Sequence, residues 1–302
     1  MTLRWLMLAA IGACATHSDP ASDAAPRSVS CALHEPSAHA SGPFTLVTGS
    51  VYVGSWNGGN VVVSKGVDGF VVVDPRSPEL DRVLETWAPG AARTVIDTHS
   101  HRDHTLGNGA VAKGKGAIIA QTEVKTRLAA QQVFQGAPVP AAEVDDWPTR
   151  TYRETLTLTM NGEEVELSHP PGAHTDGDTV VFFHGSHVVG TGDVFFPNRF
   201  PYVDPDAGGR VDALVSAIDE YVRAWPADTR IVPGHGKPVC TMADLRAYQQ
   251  MLHDSITWVR AGQKLGLSPD SLGTRGAPAE YRQWAWSLVP ESLWVSLVAR
   301  AQ

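Results

Sequence analysis

Three histidines and an aspartate stand within six residues, in the stretch His99-Ser100-His101-Arg102-Asp103-His104. The run 93–97 before them is typical of a buried strand, so the polar side chains follow the end of that strand. His99 and His101 are two residues apart, and on an extended backbone they project to the same side, where they can hold one metal ion. Asp103 and His104 come where the chain turns and can reach towards a second ion. Imidazole and carboxylate ligands suit zinc or a similar divalent metal.

Three more residues with metal-binding side chains lie at predicted strand ends, namely His174, Asp193 and His235. Each lies beside or near a glycine, which lets the backbone approach a cluster closely. Taken singly, each is better explained as an exposed loop histidine or as the aspartate of a turn. Their order after the first motif indicates that they complete its ligand sets.

The order and sequence contexts of these seven residues resemble those of the metallo-β-lactamase-fold hydrolase superfamily, over roughly residues 44–240. The resemblance implies an α/β protein (α+β in its order of elements), an αββα four-layer sandwich with a two-metal cleft at the edge of its sheets. It also implies a first zinc ion on His99, His101 and His174. The second zinc ion would be held by Asp103, His104 and His235, and Asp193 would bridge the two ions. We therefore expect two zinc ions per chain.

Such a centre implies a binuclear zinc hydrolase in which a metal-bridging hydroxide attacks an amide, thioester or ester bond. Asp103 is the expected catalytic residue, because it can orient the nucleophile. The substrate would be a small molecule, and a β-lactam, a thioester or a lactone fits equally well. The sequence contains no Gly-x-Ser-x-Gly elbow that would provide a serine nucleophile.

Departures from the resembled subfamilies leave alternatives open. The zinc β-lactamases often have Cys or Ser where Asp193 stands, and many have Lys where Phe196 stands. The pattern of hydroxyacylglutathione hydrolases includes the aspartate, but Gly177-Asp178 replaces their Gly-His. Persulfide dioxygenases are also similar and use one iron ion, held at positions equivalent to His99, His174 and Asp193. A non-catalytic zinc-binding lipoprotein is the remaining alternative.

Three residues are candidates for contacts with the substrate. Trp56, at a predicted hairpin tip, is either a core-edge residue or part of a flap over the cleft. Arg199 either pairs with a substrate carboxylate in place of the missing lysine or is an exposed, solvated arginine. Tyr202 can line the pocket.

The predicted elements agree with the resemblance in their order. Short β-rich runs separated by Gly and Asn turns come first, then a helix over 77–87 with Ser77 as its N-cap, and the strand before the histidines. A helix over 121–134 follows, and Asn161-Gly162 predicts a hairpin. Later helices are predicted over 211–225 and over 280–299. Between them a long helix is predicted to begin at Thr241, which forms a capping box with Asp244. The chain therefore consists of two halves, each a β-meander followed by helices. Two such halves are expected to pack their sheets face to face between the helices.

Composition excludes some classes of protein. With 302 residues, 43% hydrophobic and 19% charged, the chain is ordinary for a globular enzyme. Its net charge of −8 argues against a nucleic-acid partner, which needs a basic face.

The first 42 residues predict export. One basic residue, a short apolar run and Ile11-Gly12-Ala13-Cys14 are typical of a bacterial lipoprotein signal over 1–14, with Cys14 lipidated; cleavage as an ordinary signal peptide is the alternative. Residues 15–42 predict a flexible tether, and 43–302 one domain with C-terminal helices. We expect a periplasmic protein that meets the membrane only through its lipid anchor. In that compartment a disulfide between Cys31 and Cys240 is conceivable.

Overall fold

The computed structural model describes residues 43–114 and 116–301. The predicted signal segment, Cys14, the tether and Cys31 lie outside these residues. Cys240 is a free and buried thiol. Within the described part, no helix is both long and apolar enough to cross a membrane.

Strands form two large sheets and one small hairpin in the described residues. The strands of the first sheet, in spatial order, are β1 (Thr45–Thr48), β2 (Val51–Trp56), β3 (Gly59–Gly66), β4 (Gly69–Val73), β5 (Arg93–Ile96), β6 (Ala117–Gln121) and β9 (Arg150–Tyr152). The second sheet runs in the order β10 (Thr155–Met160), β11 (Glu163–Ser168), β12 (Val180–Phe183), β13 (Val188–Gly192), β14 (Arg230–Pro233) and β15 (Cys240–Thr241). The small hairpin pairs β7 (Gln132–Phe134) with β8 (Ala137–Val139).

Eight α-helices connect and cover these strands in the described residues. They are α1 (Leu80–Trp87), α2 (Arg102–Thr105), α3 (Asn108–Val111), α4 (Thr122–Leu128), α5 (Val211–Ala224), α6 (Met242–Lys264), α7 (Pro269–Arg275) and α8 (Glu291–Arg300).

Three hydrophobic cores separate four layers. One core lies between the first sheet and α1, and includes Phe70 and Leu84. A second lies between the two sheets, where Val71 of β4 and Val181 of β12 belong to the same cluster. The third covers the other face of the second sheet with α5, α6 and α8, and includes Trp294. This arrangement confirms the predicted αββα sandwich.

Sequence patterns explain which strands are central. Residues 61–63 of β3 and 71–73 of β4 are buried throughout, as expected for strands covered on both faces. β10 at the edge of the second sheet instead alternates between exposed and half-buried residues.

Parallel pairs bring the ends of important strands together. β4 and β5 are parallel, as are β13 and β14, so in each sheet the carboxyl ends of two neighbouring strands meet at one edge. Asn60 N donates to the Gly234 carbonyl (2.8 Å), which joins the edges of the two sheets. Polar residues that follow these strands are therefore placed at one site, as is usual for sheets with parallel strands.

Several predicted boundaries were correct and several were wrong. The Asn161-Gly162 hairpin and the Thr241–Asp244 capping box are present. The helix predicted over 121–134 ends at Leu128, because Gln135 and Gly136 adopt positive φ angles and turn the chain into the β7–β8 hairpin. The first helix begins at Leu80 with Glu79 as its N-cap, not Ser77. The helix predicted over 280–299 is interrupted before Pro290, which becomes the N-cap of α8.

Candidate metal centre

All seven residues predicted as metal ligands lie together where the ends of the two sheets meet. The potential ligand atoms of His99, His101 and His174 lie within 4.8 Å of one another, and we call these residues the first set. The same limit holds for Asp103, His104 and His235, which we call the second set. Asp193 lies between the sets, because its carboxylate oxygens are 3.4 Å from His104 Nε2, 3.6 Å from His235 Nε2 and 3.9 Å from His174 Nε2.

Each imidazole of the first set has one nitrogen fixed by a hydrogen-bond acceptor. His174 Nδ1–H donates to the Tyr202 carbonyl (2.7 Å), and His101 Nε2–H donates to Asp204 Oδ2 (2.8 Å). His99 Nδ1 is 3.0 Å from the Thr98 hydroxyl, which itself donates to Asp74 Oδ2 (2.8 Å) and therefore accepts from His99. These partners assign the tautomers and leave one lone pair on each ring.

The three remaining lone pairs point into one space. His99 Nε2 is buried and has no hydrogen-bond partner among the described residues. His101 Nδ1 and His174 Nε2 are 3.2 Å apart, and neither carries a proton in these tautomers. Nitrogen lone pairs at this distance repel unless a cation lies between them. The first set therefore fits a divalent metal ion, and its hydrogen-bond acceptors are those that commonly orient metal-binding histidines.

Burial keeps two of these imidazoles, those of His174 and His99, neutral. Burial, followed by the interaction with His101, lowers the pKa of His174 to about 4. Burial and the neighbouring imidazoles also lower the pKa of His99 well below its usual range. A neutral imidazole is the form that binds a metal.

The carboxylates of the centre are ionised. Burial raises the pKa of Asp193, but its interactions with the neighbouring imidazoles, that of His235 first, outweigh burial and lower that pKa below its usual value. Burial also raises the pKa of Asp103, but its interactions with His104, His235 and Arg76 outweigh burial and hold that pKa well below its usual range. The pKa of His235 is raised, because the attraction of Asp193 and Asp103 outweighs burial.

Backbone conformation also fits the site. Asp74 has φ +56°, unusual for a residue other than glycine, and its carboxylate accepts from Thr98 N (2.8 Å) and from His104 Nδ1–H (2.7 Å). Asp178 accepts from His174 N (2.6 Å) and the Thr175 hydroxyl (2.7 Å), which fixes the loop carrying His174.

Sequence reasoning missed three residues of the centre, Asp74, Arg76 and Asp204. Asp74 and Arg76 directly follow β4, the strand parallel to the one before the histidine motif, and that position is the signal that could have indicated them. The Arg76 guanidinium contacts Asp103 Oδ2 and His104 Nε2, each at 2.8 Å. Asp204 lies in the connection after β13, eleven residues beyond Asp193, and no spacing pattern links it to His101.

The three predicted substrate residues have different positions. Tyr202 is buried beside the first set, with its ring centroid 6.1 Å from that of His174. Trp56 is half-buried and packs on Phe44 (ring centroids 4.9 Å apart), which agrees with the core-edge interpretation. The Arg199 guanidinium lies over the Trp286 ring, 5.2 Å from its centroid.

A cavity of about 240 Å³ opens beside the first set. His101, Asp103 and Asp204 contribute to its wall on the side of the centre. The opposite wall is mainly apolar and comes largely from the β7–β8 hairpin and its neighbours, namely Leu128, Val133, Phe134, Val139, Pro140 and Ala142. Trp56 and Arg199 do not line this cavity.

We expect Asp204→Asn to raise the dissociation constant for zinc about 10- to 100-fold, the usual effect of losing such a partner. The side-chain amide of the variant would place an N–H against the His101 Nε2–H. The His101 proton would then be favoured on Nδ1, and the lone pair that His101 contributes to the first set would be lost. Chelator competition measures the change. Asp206→Asn is the matched control, because Asp206 is exposed two residues away; equal zinc affinity in the two variants would contradict the expectation.

Comparisons with known proteins agree with this geometry. A family model described as the metallo-beta-lactamase superfamily matches residues 54–245, more than half of the chain. The chain is 28% identical over 137 residues to the 2,4-dinitroanisole O-demethylase subunit alpha of Nocardioides sp. (strain JS1661), covering 40% of this chain and 39% of that protein.

Solved structures share the fold. A metallo-beta-lactamase from Pontibacter korlensis has a TM-score of 0.58 and 18% identity, covering 70% of this chain and 98% of the other. The stereoselective inverting sec-alkylsulfatase Pisa1 from Pseudomonas sp. has a TM-score of 0.66 and 17% identity, covering 85% of this chain and 49% of the other. The chain thus spans less than half the length of the demethylase subunit and of the sulfatase. With its family match and its four-layer fold, the chain belongs to the metallo-beta-lactamase superfamily.

Proposed function

We propose that this protein is a zinc-dependent hydrolase that cleaves an amide, thioester or ester bond of a small molecule. Its superfamily commonly consists of metal-dependent hydrolases, which supports the general class. The observation that carries the proposal is the convergence of three unprotonated imidazole nitrogens, on His99, His101 and His174, at the edge of a cavity.

Zinc is the proposed metal because three imidazoles with an open fourth position are a common catalytic zinc site. The iron sites of non-haem oxygenases use two histidines and one carboxylate. Here His101 Nδ1 lies 3.2 Å from His174 Nε2, and Asp193 is more distant from His174, at 3.9 Å. This difference favours zinc over the iron dioxygenase alternative.

The predicted second zinc ion has weaker support. Asp103, His104 and His235 lie close enough together to share an ion, but the Arg76 guanidinium already contacts the ligand atoms of all three. The proposed function therefore depends on the first set. The count of two zinc ions remains a prediction.

A zinc ion at the first set would supply Lewis acidity and make water acidic enough to act as a nucleophile near neutral pH. Asp103 faces the cavity, and its side chain is 45% exposed. Because its pKa is held well below the usual range, it is a poor proton acceptor, and we assign it the task of orienting water by accepting a hydrogen bond. Asp193 would hold negative charge between the first set and the second.

The apolar wall of the cavity supports a substrate with an apolar part. Phe134 packs edge-on against His101, with ring centroids 5.1 Å apart, so an apolar group beside Phe134 would lie next to the first set. Tyr202 packs on Phe134 (5.4 Å) and closes this side. An uncharged β-lactam portion, lactone or thioester chain would fit such a surface.

A substrate panel tests the proposal. It contains a β-lactam, a thioester, a lactone and a simple ester, together with 2,4-dinitroanisole and a secondary alkyl sulfate, which the names of the compared proteins suggest. We expect hydrolysis of at least one substrate, its loss after chelation, and its recovery on adding zinc. Full zinc content without any turnover would instead favour a zinc-binding protein, and one iron ion with oxygen consumption on a persulfide would favour the dioxygenase.

A further inference from the structure

Arg76 is fully buried, and its guanidinium lies among the three side chains of the second set. Nη1 is 2.8 Å from Asp103 Oδ2 and 3.5 Å from His235 Nε2. Nη2 is 2.8 Å from His104 Nε2. One cationic group therefore contacts every atom that was predicted to bind the second zinc ion.

The guanidinium uses all five of its N–H donors there. Nε–H donates to the Asn60 carbonyl (3.1 Å). Nη1 donates to Asp103 Oδ2 and to the Asp103 carbonyl (3.3 Å), and Nη2 donates to His104 and to the Gly234 carbonyl (2.9 Å). No donor is left for a substrate, so Arg76 belongs to the framework of the centre.

These contacts hold a cation among the atoms that a second metal ion would need. His104 Nδ1–H donates to Asp74 Oδ2 (2.7 Å), so the only lone pair of His104 is on Nε2. Arg76 Nη2 lies 2.8 Å from that nitrogen and 3.1 Å from Nδ1, so the guanidinium lies against the His104 ring. Asp103 Oδ2 accepts from the guanidinium, and His235 Nε2 lies 3.1 Å from the same oxygen. The first set differs, because no cationic side chain lies among its lone pairs.

The fold also provides room for the guanidinium. A Cβ atom added to Gly59 would clash with the Cζ, Nη1 and Nε atoms of Arg76, so the guanidinium in this position uses the space that glycine leaves at the start of β3. The two carbonyls that fix the guanidinium, Asn60 and Gly234, come from the two sheets and are joined by the bond from Asn60 N to Gly234. The arginine thus fits a prepared position rather than an accidental one.

We propose that the Arg76 guanidinium is the permanent second cation of this centre, so that the protein binds a single divalent ion, at His99, His101 and His174. This inference depends on the proposed function for the first ion only. A second divalent ion would meet a like charge that is buried and held at contact distance by five hydrogen bonds. A guanidinium keeps its charge at all physiological pH values and cannot be removed by a chelator.

Zinc titration of the metal-free protein, with a chromophoric chelator as competitor, tests the inference without an activity assay. We expect the wild-type protein to bind one tight equivalent and Arg76→Ala to bind two. Arg76→Lys keeps a cation in the same position and should remain at one equivalent. Arg82→Ala, which changes an exposed arginine of α1, is the matched control and should also remain at one.

The possible results are distinguishable. Two tight equivalents in the wild-type protein would overturn the inference but leave the proposed hydrolase function intact. No tight equivalent would overturn both. One equivalent in a folded Arg76→Ala protein would show that the guanidinium does not exclude the second ion. If loss of the five hydrogen bonds prevents Arg76→Ala from folding, as circular dichroism would reveal, Arg76→Gln and the wild-type count decide.

Discussion

Replacing Asp193 by alanine should reduce hydrolysis of the substrate found in the panel at least about 100-fold, and zinc content should fall as well. Asp193 is 7% exposed, and its Oδ1 has no hydrogen-bond partner among the described residues. A buried carboxylate without such a partner is stable only beside cations. Its position between the two sets therefore makes it the group that offsets repulsion between the metal ion at the first set and the Arg76 guanidinium at the second.

The size of the effect follows from charge. Asp193→Ala removes a negative charge from a buried site in which His174, His104 and His235 all lie within 4 Å of the carboxylate. Loss of about 3 kcal/mol of transition-state stabilisation corresponds to a factor of about 100 in rate.

His253→Ala is the control for Asp193→Ala. His253 is exposed on α6 and contacts Asp219 at 2.8 Å, so neither hydrolysis nor zinc content should change more than a few fold. Near-full turnover in Asp193→Ala would show that no carboxylate is needed between the sets, even if zinc were still bound.

His99→Ala should weaken zinc binding by more than about 100-fold and abolish measurable hydrolysis. A ligand contributes more than an outer hydrogen-bond partner, whose loss alone costs about 10- to 100-fold. His99 is 1% exposed, and its position is fixed by the chain of hydrogen bonds through the Thr98 hydroxyl to Asp74. Two imidazoles would remain, without the third lone pair that closes the first set.

Zinc titration and the hydrolysis assay measure both effects of His99→Ala. His187→Ala is the matched control, because this histidine is exposed, has a single carboxylate partner in Asp228 (2.8 Å), and lies outside both sets. Unchanged zinc affinity in His99→Ala would place the metal ion somewhere other than the first set.

Local sequence was enough to propose the candidate ligands because their positions depend on local structure. At the end of a strand, His99 and His101 project to one side, and the turn that follows lets Asp103 and His104 reach another. His174, Asp193 and His235 were placed by their order and by neighbouring glycines. Gly234 illustrates the reason, since an added Cβ would clash with Asp193 Oδ1 and crowd His104.

The partners of the ligands depend on tertiary packing and were not predictable from spacing. Asp204 contacts His101 across 103 residues of sequence, and Arg76 reaches Gly234 across 158. A buried arginine also opposes the general preference for exposed charge, so no periodic pattern indicates it. The flap interpretation of Trp56 illustrates the same limit, because whether a hairpin tryptophan packs inward depends on Phe44, twelve residues earlier.

Anomalous X-ray diffraction at the zinc absorption edge, from crystals of protein purified without chelator, tests the central claim most directly. We predict an anomalous peak in the space shared by His99 Nε2, His101 Nδ1 and His174 Nε2, with the Arg76 guanidinium in place against Asp103 and His104. A second peak among Asp103, His104 and His235 would contradict the role assigned to Arg76 alone. Absence of a peak at the first set from zinc-saturated crystals would contradict the proposed metal centre itself.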